Sequence, residues 1–361
     1  MENINNLQEI IKKITLEVIS SGKHKKINIM EVCGTHTMAI AKYGISQLLP
    51  PAINLISGPG CPVCVTPTSD IDWIIEIIKN HEVVVFTFGD MVRVPGTISS
   101  LYIERMYGAD IRICYSPMDS IIFAERNPDK NILFIAIGFE TTIPITSVVL
   151  KKAQEKKLDN FFVFSTHKII PPALDALLQD EMVRVKGLLL PGHVSAIIGS
   201  HPYEFISAKY GIPGVISGFG PGDILISITR ILEQVKNGSP HIENTYTGVV
   251  KAEGNPHAFS LISEVFNVED SIWRGLGTIP RSGLEINERF AGFDAKIKFP
   301  VKKIKSLEPS GCACGDILKG LKKPTDCKLF SRKCRPDSPV GPCMVSTEGT
   351  CAAYFKYLKR I

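Results

Sequence analysis

The sequence lacks any run of 18 uncharged apolar residues, so no part of it is suited to cross a bilayer as a helix. It also lacks the basic, apolar and small-residue zones of an export signal. In their place, Met1–Lys26 sets Leu7, Ile10, Ile11, Ile14, Val18 and Ile19 at helical spacing between Glu and Lys, the pattern of an amphipathic surface helix. A cytoplasmic location is therefore expected, with no membrane partner. Charge of one sign is scarce: Lys+Arg 41 against Asp+Glu 36 leaves +5, too little and too dispersed to attract nucleic acid. Phosphate cradles are missing as well. No G-x-x-x-x-G-K-[ST] occurs, and Gly58-Pro59-Gly60 lacks dinucleotide-binding spacing, its proline removing a backbone donor.

Apolar residues are plentiful. Hydrophobic residues make up 44% and charged ones 21%, which supports sizeable cores, and 361 residues correspond to two or three domains at roughly 100–200 residues each. From Ile27 to about Lys236 one pattern recurs: a short apolar run, a Gly- or Pro-marked loop, then a helical stretch. The expected strands are Ile27–Val32, Ile53–Ser57, Val83–Phe88, Ile111–Tyr115, Ile132–Ile137, Phe161–Phe164, Gly187–Leu190 and Gly214–Ser217. Their apolar runs are continuous, as in parallel strands covered on both faces. A break near Ser116–Lys130, with Pro117 and Pro128, divides them into two groups of four. The fold expected is α/β, two similar domains with parallel sheets flanked by helices, plus a smaller Cys-rich domain. The expected boundaries are 24–118, 119–240 and 241–361, the last taking in the N-terminal helix 1–23. A basic linker, Lys302–Lys305, leads into the tail.

Reactive residue types follow the strands. In open α/β sheets the crevice beyond the carboxyl ends of the strands is where ligands bind. Two such edges facing each other would form a cleft lined by Cys, His, Asp, Glu and Arg. Cys33-Gly34-Thr35-His36-Thr37 could work as a nucleophile–base pair, or as a soft metal ligand oriented by its histidine. Cys61-Pro62-Val63-Cys64, between a strand and a helix near Thr68, fits a reversible dithiol or two soft ligands; tetrahedral zinc would need further donors. Asp90, Arg93 and Pro95 read as an acid–base or ion-pair loop, or as a capping Asp beside a surface Arg. Glu140 and Thr142 are compatible with a helix N-terminus, His167 and His193 with structural histidines, and Cys114 with core packing.

Of the ten cysteines, six lie in the tail at Cys312, Cys314, Cys327, Cys334, Cys343 and Cys351, with no histidine among them. A segment too loop-like for its own core and this rich in thiols points to a metal, and Zn(Cys)4 and iron–sulfur clusters both take four thiolates. The two thiols left over favour a redox pair beside a cluster.

These blocks together, with Pro67, Gly138–Thr142, Pro191–Val194, Gly311-Cys312-Ala313-Cys314-Gly315 and Gly341–Gly349, resemble the HypD family of nickel–iron hydrogenase maturation factors, in order from about Ile29 to Tyr357. The resemblance implies a scaffold for metallocofactor assembly rather than a conventional turnover enzyme. With a HypC-like chaperone it would hold an iron atom while cyanide and carbon monoxide are installed, cyanide coming from a HypE-like partner as a thiocyanate. By motif position, Cys33 would anchor the iron, His36 and Asp90 would line that site, and Cys61 with Cys64 would be the redox pair. A 4Fe-4S cluster would fall to Cys312, Cys327, Cys334 and Cys351, leaving Cys314 and Cys343 as a second thiol pair. In Gly218–Asp223 the chain has Gly220 where the family pattern has Glu, so that carboxylate's role does not carry over. Two other readings of the residues are an iron–sulfur-dependent thiol–disulfide reductase and a zinc-stabilised binding module.

Overall fold

The computed structural model describes residues 2–22, 25–302 and 304–357; Lys23 and His24 of the N-terminal segment and Lys303 of the basic linker lie outside them. All eight expected strands form: β1 (Ile27–Glu31), β2 (Ile53–Ser57), β3 (Val83–Thr87), β4 (Ile111–Ile113), β5 (Asn131–Ala136), β6 (Phe161–Ser165), β7 (Gly187–Pro191) and β8 (Gly214–Ser217). Three more follow: β9 (Ile242–Asn244), β10 (Phe266–Trp273) and β11 (Gly277–Ile286).

The strands are not grouped as two consecutive fours. One parallel sheet runs β2-β1-β7-β8-β9 and the other β4-β3-β5-β6. The chain leaves the first sheet after β2, builds the whole second sheet, and returns at β7. An expected boundary at 118/119 therefore cuts the second sheet between β4 and β5, and one at 240/241 detaches β9 from the first. The cause is local. Pro117 occupies the N-cap of the Met118–Arg126 helix, so the proline-marked break is an ordinary crossover within one sheet.

Side-chain alternation along the strands makes separate cores. On one face of the first sheet, Ile27, Ile29, Leu189 and Val215 pack with Ile11, Ile14 and Val18 of the Glu2–Ser20 helix and Ile224, Ile228 and Ile231 of the Pro221–Asn237 helix. The N-terminal helix thus belongs to this sheet and not to the Cys-rich segment. On one face of the second sheet, Val84, Phe86, Ile132 and Phe134 pack under Phe266 and Leu284 of the hairpin. Neighbouring residues one position along, Val85, Leu133 and Ile135, point the other way. They join Met30, Leu188 and Leu190 of the first sheet and Ile317, Leu318 and Met344 of the tail in one shared core.

The antiparallel β10–β11 hairpin was not among the expected strands, because its faces alternate with charge instead of forming an apolar run. The Trp273–Gly277 motif is its turn, where Gly275 and Gly277 take φ +77° and +79°, a conformation that favours glycine. Buried Trp273 donates from Nε1 to Ser282 Oγ at 2.8 Å.

Candidate functional site

In each sheet the strand order reverses beside the strand formed first: between β1 and β7 in one, and between β3 and β5 in the other. Such reversals open crevices at the carboxyl ends of the strands. Here the two crevices meet in one cleft of about 650 Å³. Cys33 after β1, Gly60 after β2 and His193 after β7 line it from the first sheet. Gly89 and Asp90 after β3, Cys114 after β4 and Gly138 after β5 line it from the second. The third wall is Ser346-Thr347-Glu348, a loop of the Cys-rich tail.

That third wall is held by hydrogen bonds. Asp90 Oδ2 accepts from Ser346 Oγ at 3.0 Å, Thr347 N at 2.9 Å and Thr347 Oγ1 at 3.0 Å. Thr35 Oγ1 donates to Glu348 Oε1 at 3.0 Å. Arg93 Nη2 donates to Asp337 O at 2.8 Å, so the Asp90–Arg93 loop reaches the tail through both residues. Close backbone approach explains two glycines of the motifs. A Cβ on Gly34 would stand 2.4 Å from Glu348 Cβ, and one on Gly60 would stand 2.3 Å from Cys33 N.

Cys33 is the N-cap of the Gly34–Lys42 helix and is 8% exposed. Its own N–H donates to Glu31 Oε2 at 3.1 Å. Burial pushes the Cys33 thiol up to about 12, with the Glu348 carboxylate adding to it and the His36 and Thr35 N–H groups opposing. Burial likewise raises Glu31 to about 8, against hydrogen bonds from Thr37, Ser57 and the Cys33 N–H.

His36 does not line the cleft. Cys33, at the N-cap, has extended backbone (φ −150°, ψ 123°), so helical spacing does not tie its side chain to that of His36. Thr35 faces the cleft, and His36, one residue and about 100° further round the helix, faces the protein interior. It is fully buried, its Nε2 lies 3.0 Å from Gly218 O, and its ring packs 4.8 Å from that of Phe219. Nδ1 is buried without a partner, and burial pushes the ring's pKa down to about 4. His36 is thus not hydrogen-bonded as a base to Cys33. Phe219 carries a second histidine on the cleft side: the exposed His193 ring stacks on it at 4.1 Å.

Cys61 and Cys64 form a disulfide. They lie behind the cleft wall, 3% and 0% exposed, while Pro62 and Val63 between them line it. Cys61 caps the short Pro62–Val65 helix through its sulfur, which accepts from Cys64 N at 3.2 Å. A following helix begins at Thr68, as its sequence position implied.

Other expected roles resolve simply. Cys114 is buried in the second sheet's core but, coming just after β4 ends, also faces the cleft. His167 is structural, its ring nitrogens 3.3 Å from Gly138 O and 3.1 Å from Thr146 Oγ1. Thr142 is an N-cap by position, yet its hydroxyl donates back to Ile137 O and Phe139 O instead of capping. Glu140 is buried, accepts from Ile170 N at 2.8 Å through Oε1, and has no partner for Oε2. Burial raises its carboxyl to about 7.

The six tail cysteines line one small enclosed cavity, with Ile317, Leu329, Phe330 and Met344 between them. Cys314 and Cys343 Sγ are 2.8 Å apart, a contact that lowers the pKa of Cys314. Among the described residues no group of three or more His, Cys, Asp or Glu is set to hold a single metal ion. The donor set itself fits an iron–sulfur cluster: more than four soft thiols, no oxygen or nitrogen donor, and apolar walls.

Two contributions had no role assigned from the sequence. The Ser346–Glu348 wall depends on a contact across more than 250 residues. Arg274, in the hairpin turn, is 3% exposed, donates its N–H to Val65 O and its Nε to Thr66 O, both at 2.8 Å, and pairs through Nη1 with Glu308 at 2.7 Å. A glycine-flanked arginine was the one local signal.

A family model described as "HypD: Hydrogenase formation hypA family" matches residues 5–358. The hydrogenase maturation factor HypD of Cupriavidus necator is 42% identical over 358 residues, covering 97% of this chain and 94% of that protein. That of Rhodobacter capsulatus is 44% identical over 344 residues, 94% and 91% of the two chains. The hydrogenase expression/formation protein HupD of Azotobacter chroococcum is 45% identical over 341 residues, 92% and 90% of the two. With a cleft at two sheet reversals, its flanking motifs and this likeness over nearly the whole length, the chain belongs to the HypD family of hydrogenase maturation factors.

Proposed function

We propose that this protein is a cytoplasmic scaffold on which an iron atom is held while cyanide and carbon monoxide ligands are installed, to make the Fe(CN)2CO unit of a nickel–iron site. The observation that carries the reading is Cys33. It is a thiol at one sheet's reversal, on a cleft closed by the other sheet and by the cysteine-bearing tail. A buried thiol that resists ionisation by itself is a poor free nucleophile, and an engaged His36 offers it no base. Metal binding displaces that proton instead, and a soft, electron-rich Fe(II) suits the thiolate. A HypC-like chaperone would complete the iron's coordination from the open side of the cleft, and a HypE-like partner would bring cyanide as a thiocyanate.

Releasing cyanide from a thiocyanate consumes two electrons and leaves a thiolate on the donor. Oxidation of a Cys61/Cys64 dithiol to the disulfide yields two electrons and two protons, which balances that step. Cys312, Cys327, Cys334 and Cys351 would hold a 4Fe-4S cluster, whose chemistry would be to supply electrons for restoring the dithiol; Cys314 and Cys343, in the same cavity, would be a second thiol pair. A stand-alone protein-disulfide reductase fits less well, because Cys61 and Cys64 are buried behind the cleft wall.

The test is anaerobic co-purification with the HypC-like partner and infrared spectroscopy of the cyanide and CO stretches. Wild type is expected to show both bands and Cys33→Ala neither; bands that persist in Cys33→Ala remove Cys33 as the anchor. Cys64→Ala is expected to lose the cyanide bands while retaining about four irons with sulfide. One zinc and no sulfide in wild type would instead favour a zinc-stabilised binding module.

A further inference from the structure

The Trp273–Gly277 turn has no part in the cleft, yet it places a buried cation between the redox motif and the tail. Arg274 bonds two successive carbonyls, Val65 O and Thr66 O, at the carboxyl end of the helix that begins at Cys61. The backbone N–H of Arg274 takes the first of these carbonyls and its guanidinium, through Nε, takes the second. Its side chain is 2% exposed and pairs with Glu308 at 2.7 Å, whose other oxygen accepts from Thr68 Oγ1 at 2.8 Å. Nη2 is buried and has no partner. The same turn abuts the tail: a Cβ on Gly275 would stand 2.3 Å from Gly315 Cα, beside Cys314. The Pro342–Val345 helix, with Cys343, packs on the Pro62–Val65 helix. The turn that carries this guanidinium thus adjoins the segment just after Cys61–Cys64 on one side and the Cys314 segment of the tail on the other.

We propose that Arg274 is the positioning residue of the Cys61–Cys64 couple, its buried charge favouring the reduced pair, on which negative charge collects, while Glu308 partly offsets that effect. The inference rests on the reading of Cys61 and Cys64 as a redox pair. In passing from disulfide to the reduced pair the couple takes up two electrons and one proton, one sulfur being left as a thiolate near the buried cation. With dithiothreitol as reductant, one protein disulfide and one reduced dithiothreitol give one protein thiol–thiolate pair, one cyclic dithiothreitol disulfide and one released proton. Desolvation strengthens the charge effect, since a charge acts more strongly where little water screens it. Removing the cation should make the disulfide harder to reduce, and removing the neighbouring carboxylate should make it easier.

The experiment equilibrates anaerobic full-length protein in buffers of oxidised and reduced dithiothreitol at pH 8. The Cys61/Cys64 peptide is then read by thiol alkylation and mass spectrometry. Arg274→Gln is expected to lower the equilibrium constant for reduction about tenfold, which is about 30 mV for a two-electron couple. Glu308→Gln should raise it, and Arg274→Lys, which keeps the charge, should stay near wild type. A merely structural clasp would be loosened by either neutral substitution, so shifts in the same direction, or no shift, overturn the proposal. Should Arg274→Gln not fold, Glu308→Gln at a 54% exposed side chain decides by its sign. A wild-type pair that does not titrate as a two-electron couple refutes the redox reading itself, a different failure from an unmoved midpoint in the variants.

Discussion

Cys33 and His36 illustrate what a motif conceals. Three residues apart in one block, they could be a catalytic pair or a ligand and its neighbour, and only the folded backbone, extended at Cys33 and helical from Gly34, decides. Cys33 turns to the cleft and His36 to Gly218 and Phe219. The same holds for Glu140, which a linear reading treats as part of a helix start. In the fold it is a buried carboxyl with one unpartnered oxygen, its pKa raised by burial from 4.5 to about 7. A raised carboxyl binds its proton more tightly in the native state, so its contribution to stability is complete below about 4.5 and is lost as pH rises through about 7. Glu140→Gln can keep the acceptor for Ile170 N without the charge. Its melting temperature should therefore gain on wild type as pH rises from 5 to 8; a difference that stays constant over that range contradicts the assignment.

At the scale of elements, the eight strands were legible because each is buried on both faces and so reads as an unbroken apolar run. The hairpin was not, since outward residues such as Glu269 and Asp270 interrupt its pattern. Its importance lies at the turn, where Gly275 has φ +77° and its backbone lies against Gly315 of the tail. Gly275→Ala adds a methyl group where only backbone can yield. It should cost about 1–3 kcal/mol and loosen the tail's seat on the hairpin. Thermal melting combined with limited trypsin digestion reads this: cleavage at Lys319–Lys323 should accelerate, and unchanged digestion would show that the tail does not depend on the turn.

At the scale of the whole molecule, the cleft is built from three parts of the chain that no local pattern joins. Asp90 accepts three hydrogen bonds from Ser346 and Thr347, a few residues beyond Cys343, so the order of the tail and the shape of the cleft are linked. If the tail thiols hold a cluster as proposed, removing iron from the anaerobic protein by chelation should speed hydrogen exchange across Cys312–Cys351. The change should extend through Asp90 to the cleft loop Gly89–Val92, while β1, β7 and β8 keep their protection. An even rise over the molecule, or none beyond the tail, would break that link.

The sequence by itself determined the class of fold, the motifs at the strand ends and the clustering of six cysteines in the tail, because parallel strands, strand-end loops and clustered thiols are local patterns. It left open how the strands divide between sheets. That was decided by the return of the chain to β1 after the second sheet was complete, a long-range pairing of apolar strands that spacing does not encode. It also left open which motif residues face one another. Tertiary packing decided that Cys61 and Cys64 lie behind the wall, that His36 turns inward, and that the tail closes the cleft. Local backbone conformation and contacts over hundreds of residues set those relations, and the buried charge of Arg274 became visible only once the hairpin, the Cys61–Cys64 motif and the tail were brought together.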